Sequence, residues 1–129
     1  MKIIPHRYPF LLVDSADVYE GAIVGHKNVS GGESLLVGAK CASFFEYLQV
    51  EAAAQTACAD ALALPETQGK LGFFMSIDKA EFFRQVAAGE RLDMQAEFSL
   101  RGRFGTGQAV ARVGAEVVFE ATMKFALVD

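Results

Sequence analysis

Two long stretches of the chain alternate between apolar and mostly polar residues, and this pattern limits the possible folds more than any other feature. The first occupies residues 92–100, with apolar positions at Leu92, Met94, Ala96, Phe98 and Leu100. In the second, the apolar positions are Val117, Phe119, Ala121, Met123, Phe125 and Leu127. A period of two predicts strands. Together with a β-rich stretch at residues 18–29, these runs predict an antiparallel sheet. Turns are predicted at Gly102, Gly105, Gly107 and Gly114.

One long helix is predicted over residues 43–63, ahead of these strands. Ser43 and Glu46 have the spacing of a capping box, which predicts that the helix begins at Ser43. A helix followed by several antiparallel strands is typical of an α+β fold. Because one helix covers a long sheet only where the sheet curls around it, the pattern favours a curled sheet. Pairing with a second copy would cover further apolar surface, so we expect a homo-oligomer.

Composition sets further limits on the class of protein. The 129 residues fit a single domain, 1–129, and a content of 52% hydrophobic and 22% charged residues excludes intrinsic disorder. A formal charge of −4 argues against a nucleic-acid partner bound through a general basic surface. No apolar run approaches the length of a membrane span, and the N-terminus does not resemble a signal peptide. Cys41 and Cys58 are too few for a disulfide framework, so we expect a reduced, cytoplasmic setting.

Glu51 is the most informative residue of the predicted helix. With successive residues about 100° apart, Glu51 lies in the middle of an apolar stripe. The opposite side, where we expect solvent, holds the other acids, Glu46 and Asp60, together with Gln49 and Thr56. The stripe also holds Phe44, Tyr47, Leu48, Ala54, Gln55, Cys58 and Leu62. A buried carboxylate must be paired, neutral or functional. Glu51 is therefore an acid/base for proton transfer or a structural acid bonded to a backbone group or an arginine, and Cys58 is interpreted as core.

Four segments of the chain, in order, match the pattern of one known family. They are IPHRYPFLLVD at residues 4–14, HKNVS at 26–30, EAAAQ at 51–55 and the stretch from Phe74 to Gly89. With these segments the chain closely resembles the FabZ-type 3-hydroxyacyl-[acyl-carrier-protein] dehydratases over nearly its whole length. The resemblance implies a hot-dog fold, in which an antiparallel sheet wraps around one long helix. It also implies a homodimer with active sites at the subunit interface, or a hexamer built from such dimers, and an acyl carrier protein or CoA thioester as partner.

The resemblance further implies a reaction. The family removes water from a 3-hydroxyacyl thioester to give a trans-2-enoyl thioester, in fatty-acid or related lipid and polyketide synthesis, without metal or redox cofactor. A histidine takes the proton next to the carbonyl, an acid on the partner subunit's helix assists loss of the hydroxyl, and a backbone N–H near the helix start polarises the carbonyl. Glu51 matches that acid. Gly38, Ala39 and Gln55 fall at positions expected to contact substrate.

One position departs from the family pattern. The family's histidine belongs to a Gly-His-Phe-Pro turn, and here Gly38 matches the glycine while Ala39 stands where the histidine should be. The family's Pro-Gly before the helix is also missing. A general base typically contributes roughly 10²–10⁴-fold to the rate. The departure therefore predicts impaired or altered catalysis.

Two residues are candidates to replace the missing base. His26 lies on a predicted strand, and Cys41 lies just before the predicted helix, a place where a helix terminus lowers a thiol pKa. The plainer interpretations are an ordinary strand histidine and a small buried thiol. His6 is interpreted as structural.

Arg101 and Arg103, with Lys79 and Arg84, form a candidate patch for an acidic carrier protein or a pantetheine phosphate. The alternative is a set of unrelated surface charges.

Three functions remain open from the sequence. The first is a dehydratase of the FabZ type that uses Glu51. The second is a hot-dog acyl thioesterase in which Glu51 activates water or attacks the thioester. The third is a non-catalytic subunit that binds acyl chains or pairs with an active dehydratase.

Overall fold

The computed structural model of the chain describes residues 4–5, 11–19, 22–29, 43–44, 46–67 and 69–129. The strands are β1 Ser15–Tyr19, β2 Ala22–Asn28, β3 Ser43–Phe44, β4 Leu71–Phe82, β5 Val86–Ala87, β6 Arg91–Arg101, β7 Phe104–Val113 and β8 Glu116–Val128. The helix is α1 Glu46–Leu62, and a short 3₁₀ turn, Pro65–Thr67, follows it. Among the described residues, no helix is both long enough and apolar enough to cross a membrane.

Six strands form one antiparallel sheet in the order β1-β2-β6-β7-β8-β4, while β3 and β5 pair separately. The two alternating stretches of the sequence become β6 and β8, as predicted. Tight turns join β6 to β7 and β7 to β8, and in them Gly102 and Gly114 have φ angles of 65° and 60°. Those two predicted turns are confirmed, because glycine adopts positive φ without steric cost.

The core lies between α1 and the face of the sheet that we call the inner face. Along β6, Leu92, Met94 and Ala96 have no exposed surface, whereas Gln95 and Glu97 point to the opposite, outer face and are exposed. The helix contacts β2, β4, β6, β7 and β8, so the sheet wraps around it. This is the α+β, hot-dog arrangement expected from the sequence.

Small residues let the helix and the sheet approach closely. A Cβ atom at Gly25 of β2 would overlap the side chain of Thr56 on α1. In the same way, a Cβ at Gly105 would overlap the Phe98 ring, and one at Gly107 would lie 2.8 Å from the Phe125 ring. The prediction of turns at Gly105 and Gly107 is wrong. Both lie inside β7, where they make room for aromatic rings of the core.

Two details of the predicted helix are also wrong. The helix begins at Glu46, and Ser43 belongs to β3, where it pairs with Ala87. Strand pairing therefore replaces the capping box at this end. Gln49 and Thr56, expected on a solvent face, have no exposed surface. For Thr56 the reason is that the sheet packs against this side of the helix, where its side chain lies close to Gly25 of β2.

Candidate functional site

Glu51 lies in the second turn of α1 and is half-buried, while residues 52–59 that follow it are all buried. Gln55, one helical turn later, donates a hydrogen bond from Nε2 to Glu51 Oε1 at 3.0 Å. Spacing of four residues brings the two side chains onto one side of the helix. Gln55 itself is only 1% exposed. The carboxylate therefore stands at the open edge of an otherwise enclosed helix surface.

The amide of Gln55 has a defined orientation. The backbone N–H of Leu12 donates to Gln55 Oε1 at 2.8 Å in a buried hydrogen bond between residues 43 positions apart. Because this donor requires the amide oxygen, the amide nitrogen is directed to Glu51. The segment before β1 thus fixes how Gln55 meets the carboxylate. A carboxylate held in this way can exchange a proton with a substrate atom that reaches its exposed side.

Cys58 lies two helical turns beyond Glu51 and is buried among core residues. Burial raises the pKa of its thiol to about 11, a backbone hydrogen bond to Gly72 opposes the rise, and the charge of Glu51 adds to it. Cys58 is therefore a protonated thiol at neutral pH. Its interpretation as a core residue is confirmed.

His26 lies on the other side of the sheet. Its neighbours Gly25 and Lys27 face inward and are buried, so the side chain of His26 points to the outer face. There Nδ1 is 2.8 Å from Asp93 Oδ1 and Nε2 is 3.0 Å from Asp17 Oδ2. The hydrogen bond to Asp93 raises the pKa of His26, burial opposes the rise, and the bond to Asp17 adds to it. Within one chain, the structure does not bring His26 and Glu51 together.

Several residues singled out from the sequence lie outside the described part of the chain. They are Gly38, Ala39 and Cys41, together with His6. Along the chain, the described residues that flank the first three are Val29, which follows β2, and Ser43 in β3. Among the residues that the structure describes, no group of three or more His, Cys, Asp or Glu side chains is arranged to hold a metal ion.

Arg101 is the last residue of β6, and Arg103 lies in the turn between β6 and β7. Arg101 lines an open groove of about 560 Å³ on the outer face. The other lining residues are Met75, Ser99, Leu100, Phe104, Gly105, Thr106, Lys124 and Phe125. The guanidinium of Arg103 lies 5.2 Å from the centre of the Phe104 ring, a cation–π contact. This groove combines positive charge with an aromatic wall, and α1 with Glu51 lies on the opposite face of the sheet.

The other two members of the predicted patch are engaged elsewhere. Lys79 forms an ion pair with Glu81 at 3.2 Å. Arg84 binds Glu90 and Glu116. Of the four basic residues, only Arg101 lines the groove. Lys124 also lines it and forms an ion pair with Asp78 at 3.3 Å. The sequence did not single out Lys124.

Two parts of the site region were missed by the sequence. The contact of Leu12 with Gln55 carries no local signal, because a backbone N–H has no side-chain signature and its partner is far along the chain. The bidentate pair Arg84–Glu90 spans only six positions. An arginine and a glutamate at the two ends of a segment rich in turn residues are a local signal that could have predicted this pair.

The chain is similar in sequence to dehydratases. No family model matches it. It is 42% identical over 135 residues to the 3-hydroxyacyl-[acyl-carrier-protein] dehydratase FabZ of Oceanobacillus iheyensis, covering 98% of this chain and 94% of that protein. It is 45% identical over 135 residues to the FabZ of Bacillus cytotoxicus, covering 98% of this chain and 91% of that protein.

Solved structures with the same fold include both dehydratases and thioesterases. The dehydratase heterocomplex ApeI:P from Xenorhabdus doucetiae superposes with a TM-score of 0.85 at 15% identity, covering 99% of this chain and 90% of that one. The thioesterase HI1161 from Haemophilus influenzae superposes with a TM-score of 0.73 at 16% identity, covering 93% and 80%. At these identities the likeness supports the hot-dog fold alone.

Proposed function

The chain belongs to the FabZ family of 3-hydroxyacyl-[acyl-carrier-protein] dehydratases, and on that premise we propose that it handles acyl thioesters with Glu51 as its acid/base. The observation that carries the proposal is the hydrogen-bonded series from the Leu12 N–H through Gln55 to Glu51. It presents one oriented carboxylate at the edge of a buried helix surface. We further propose that residues 1–129 form one domain that works in the cytoplasm.

In dehydration, Glu51 in its protonated form gives a proton to the departing hydroxyl group at C3 of the acyl chain. The C3–O bond breaks, water leaves, and the electron pair of the C2–H bond forms the double bond. A base must accept the C2 proton in the same reaction. After turnover Glu51 is a carboxylate and regains its proton from solvent at its exposed side.

Ala39 supplies no base for this step. The chain contains two histidines, His6 and His26. His26 is held on the outer face by Asp93 and Asp17 and takes no part in this proposal. Cys41, the other predicted substitute, lies outside the described residues and remains a prediction from the sequence. With a general base worth roughly 10²–10⁴-fold, we expect a homo-oligomer of this chain to dehydrate its substrate slowly.

The edge strand β4 supports an oligomer. This strand of 12 residues pairs with β8 on one side and, among the described strands, with none on the other. Along it Phe73, Met75 and Ile77 are 54%, 56% and 50% exposed. A long apolar edge of this kind pairs readily with another strand. We propose that a second copy of the chain adds its β4 here, giving the homodimer implied by the family, with a hexamer built from such dimers as the larger assembly.

The outer-face groove supports docking of an acyl carrier protein. Arg101 gives the groove positive charge, and exposed Phe104 gives it an apolar wall. Carrier domains that are acidic would be attracted to such a surface, mainly through faster association. We propose that Arg101 and Arg103 bind the carrier, while Gln55, Gly38 and Ala39 belong to the region around the acyl group.

A mass-spectrometric assay of the purified protein with carrier-bound 3-hydroxyacyl and acyl thioesters tests the proposal. We expect slow loss of water that disappears in Glu51→Gln and persists in Glu97→Gln, a matched change on the outer face of β6. Release of free acid that depends on Glu51 would instead identify a thioesterase. Turnover that survives Glu51→Gln undiminished would contradict the assignment of the site.

A second candidate function is a partner subunit for a histidine-bearing dehydratase. Ala39 at the position of the family histidine favours it, and so does the similarity in fold to a complex of two different dehydratase chains. In such a pair, Glu51 would act beside the histidine of the other chain. The site would then contain both an acid and a base.

Complementation tests this second candidate. A FabZ relative whose helix acid is changed to glutamine should be inactive alone and should regain dehydratase activity when co-purified with this chain. The gain should vanish when this chain carries Glu51→Gln. A mixed oligomer that forms, as seen by native mass spectrometry, but stays inactive would exclude this function.

A further inference from the structure

The loop between β4 and β6 is closed by one arginine. Arg84 Nη1 and Nη2 donate to the two carboxylate oxygens of Glu90 at 2.9 and 2.7 Å, in a bidentate pair. Arg84 Nε donates to Glu116 Oε2 at 2.9 Å, which joins the loop to the start of β8. We call these three residues the Arg84 clamp. Side chains of Arg84 and Glu90 are 30% and 28% exposed, so the pair is only partly open to water.

The backbone of the clamped loop holds two other segments of the chain. Gly89 N–H donates to the carbonyl of Val29 at 2.7 Å, and Val29 N–H donates to the carbonyl of Glu90 at 3.0 Å. Within the loop, β5 pairs with β3, which is Ser43–Phe44. Glu90 Oε1 also accepts a hydrogen bond from the N–H of Ala87 in β5 at 3.0 Å. One carboxylate thus links Arg84 directly to the strand that pairs with β3.

Strand β3 comes directly before the helix that carries Glu51. Ser43 and Phe44 pair with Ala87 and Val86, and α1 begins two residues after Phe44, at Glu46. The pairing therefore constrains the chain directly before the first residue of the helix. Glu51 lies in the first turns of that helix. The Glu51 carboxylate is also held from the side of Gln55, which binds both Glu51 and the backbone N–H of Leu12.

We propose that Arg84 is a positioning residue for Glu51. Its bidentate bond to Glu90 fixes β5, β5 fixes β3, and β3 sets the start of α1 and so the place of the Glu51 carboxylate. The bond to Glu116 holds the whole loop against the β7–β8 turn. The inference rests on the proposed function in taking Glu51 as the reacting acid.

The geometry separates this clamp from an ordinary surface ion pair. Isolated pairs between exposed side chains contribute little, because solvent screens them and ordering two long side chains is costly. Here the Arg84–Glu90 pair is bidentate, and Arg84 also binds a second carboxylate, that of Glu116. Glu90 in turn accepts a hydrogen bond from the backbone N–H of Ala87 in β5. Planar, two-bond geometry of this kind gives orientation as well as energy.

Three variants test the proposal. Glu90→Gln keeps the shape of the side chain and removes its charge, while Arg84→Lys keeps a positive charge and removes the two-bond geometry. Asp129→Asn is the control, because it removes the 2.8 Å ion pair with Lys70, which includes no residue of the Arg84 clamp, β3 or β5. Each variant is compared with wild type in hydrogen exchange of backbone amides and in steady-state kinetics. A pH profile of kcat is also measured.

We expect Glu90→Gln to speed exchange in residues 43–50 selectively, with residues 104–113 of β7 unchanged. It should lower kcat roughly ten- to a hundredfold with KM nearly unchanged and should shift the pH profile of kcat. Arg84→Lys should have a smaller effect in the same direction, and Asp129→Asn none. A merely structural role would raise exchange throughout the sheet and leave the pH profile in place.

The outcomes also separate this inference from the proposed function. Exchange that stays at the wild-type rate in residues 43–50 of Glu90→Gln overturns the clamp, whatever the activity. Selective exchange together with wild-type kcat overturns the link to Glu51. If wild type itself turns over no thioester, alone or with a histidine-bearing partner, the proposed function fails, and the exchange data still decide whether the clamp orders β3.

Discussion

Two hydrogen-bonded series in this molecule have the same length and opposite character. On the inner side, Leu12, Gln55 and Glu51 are joined through a neutral amide that is 1% exposed. On the outer face, Asp17 and Asp93 bind the two ring nitrogens of His26. The inner series contains one ionisable group, whereas all three outer groups are ionisable. Histidine is the more usual catalytic base by residue type, yet here it is engaged between two acids and the glutamate is presented to the open edge of the site.

The difference shows that the face of the sheet decides the role of a polar residue. An enclosed site tolerates a charge only where its neighbours satisfy it, and a neutral amide does so without adding a second charge. The outer face is hydrated, so three charges can meet there at little cost. The variants below change one series at a time and begin with the largest expected effect.

Gln55→Leu removes the link between Leu12 and Glu51. The variant leaves the buried N–H of Leu12 without its acceptor, which should lower the free energy of unfolding by about 1–3 kcal/mol. Loss of orientation at Glu51 should lower turnover roughly ten- to a hundredfold. Urea denaturation and the thioester assay measure the two effects. The control is Gln95→Leu on the exposed outer side of β6, and equal losses in both variants would contradict a special role for Gln55.

Gly25→Ala tests the inner face at the residue next to His26. The new methyl group meets the Thr56 side chain, so we expect the free energy of unfolding to fall by about 1–3 kcal/mol. The double variant Gly25→Ala, Thr56→Ala removes the atoms that clash and should recover part of the loss. Thermal and urea denaturation are the measurements. A single variant as stable as wild type would mean that the helix and β2 are less closely packed than the structure has them.

Arg101→Glu tests whether the outer-face groove serves the carrier. KM for a carrier-bound thioester should rise several-fold and depend less on salt, because an attractive charge becomes repulsive. Kinetics with a small pantetheine thioester should not change. An equal rise in KM for both substrates would mean that Arg101 contacts the acyl group. That result would contradict the proposal that the carrier binds on the outer face and the acyl group on the inner face.

His26→Gln should have the smallest effect, one that depends on pH. The pKa of His26 is raised in the folded protein, so protonated His26 stabilises the fold. This contribution is fully present below the ordinary pKa of 6.5 and is lost as pH rises through the raised folded value. The stability difference between wild type and variant should therefore be below about 1 kcal/mol at acid pH and vanish at alkaline pH. Urea midpoints from acid to alkaline pH measure this stability difference. A difference that grows as pH rises would contradict the conclusion that protonated His26 stabilises the fold.

The sequence predicted the sheet better than the helix surroundings. Alternation in residues 92–100 and 117–127 reports one buried face, and β6 and β8 follow it closely. Ser43 was misassigned because pairing with Ala87, a residue far along the chain, outweighs a local cap. Gln49 and Thr56 were misassigned because helical periodicity shows which side is more apolar and not how far a sheet wraps around it.

The site was predictable to the extent that it lies on one helix. Glu51 and Gln55 are four residues apart, so helix geometry alone brings them together. The bond from Leu12 depends on where β1 begins relative to α1, which no local pattern encodes. Several roles remain predictions: contact with the substrate for Gly38 and Ala39, the substitute base for Cys41, and binding of the carrier for Arg101 and Arg103.

Labelled water offers the most direct test of Glu51 as the acid/base. The enoyl thioester is incubated with the protein for hours in water enriched in ¹⁸O, and the products are analysed by mass spectrometry. Dehydration is reversible, so we predict that label enters the C3 hydroxyl with wild type and with Glu97→Gln but stays at background with Glu51→Gln. Incorporation at C3 that is the same with and without the Glu51 carboxylate would contradict the account.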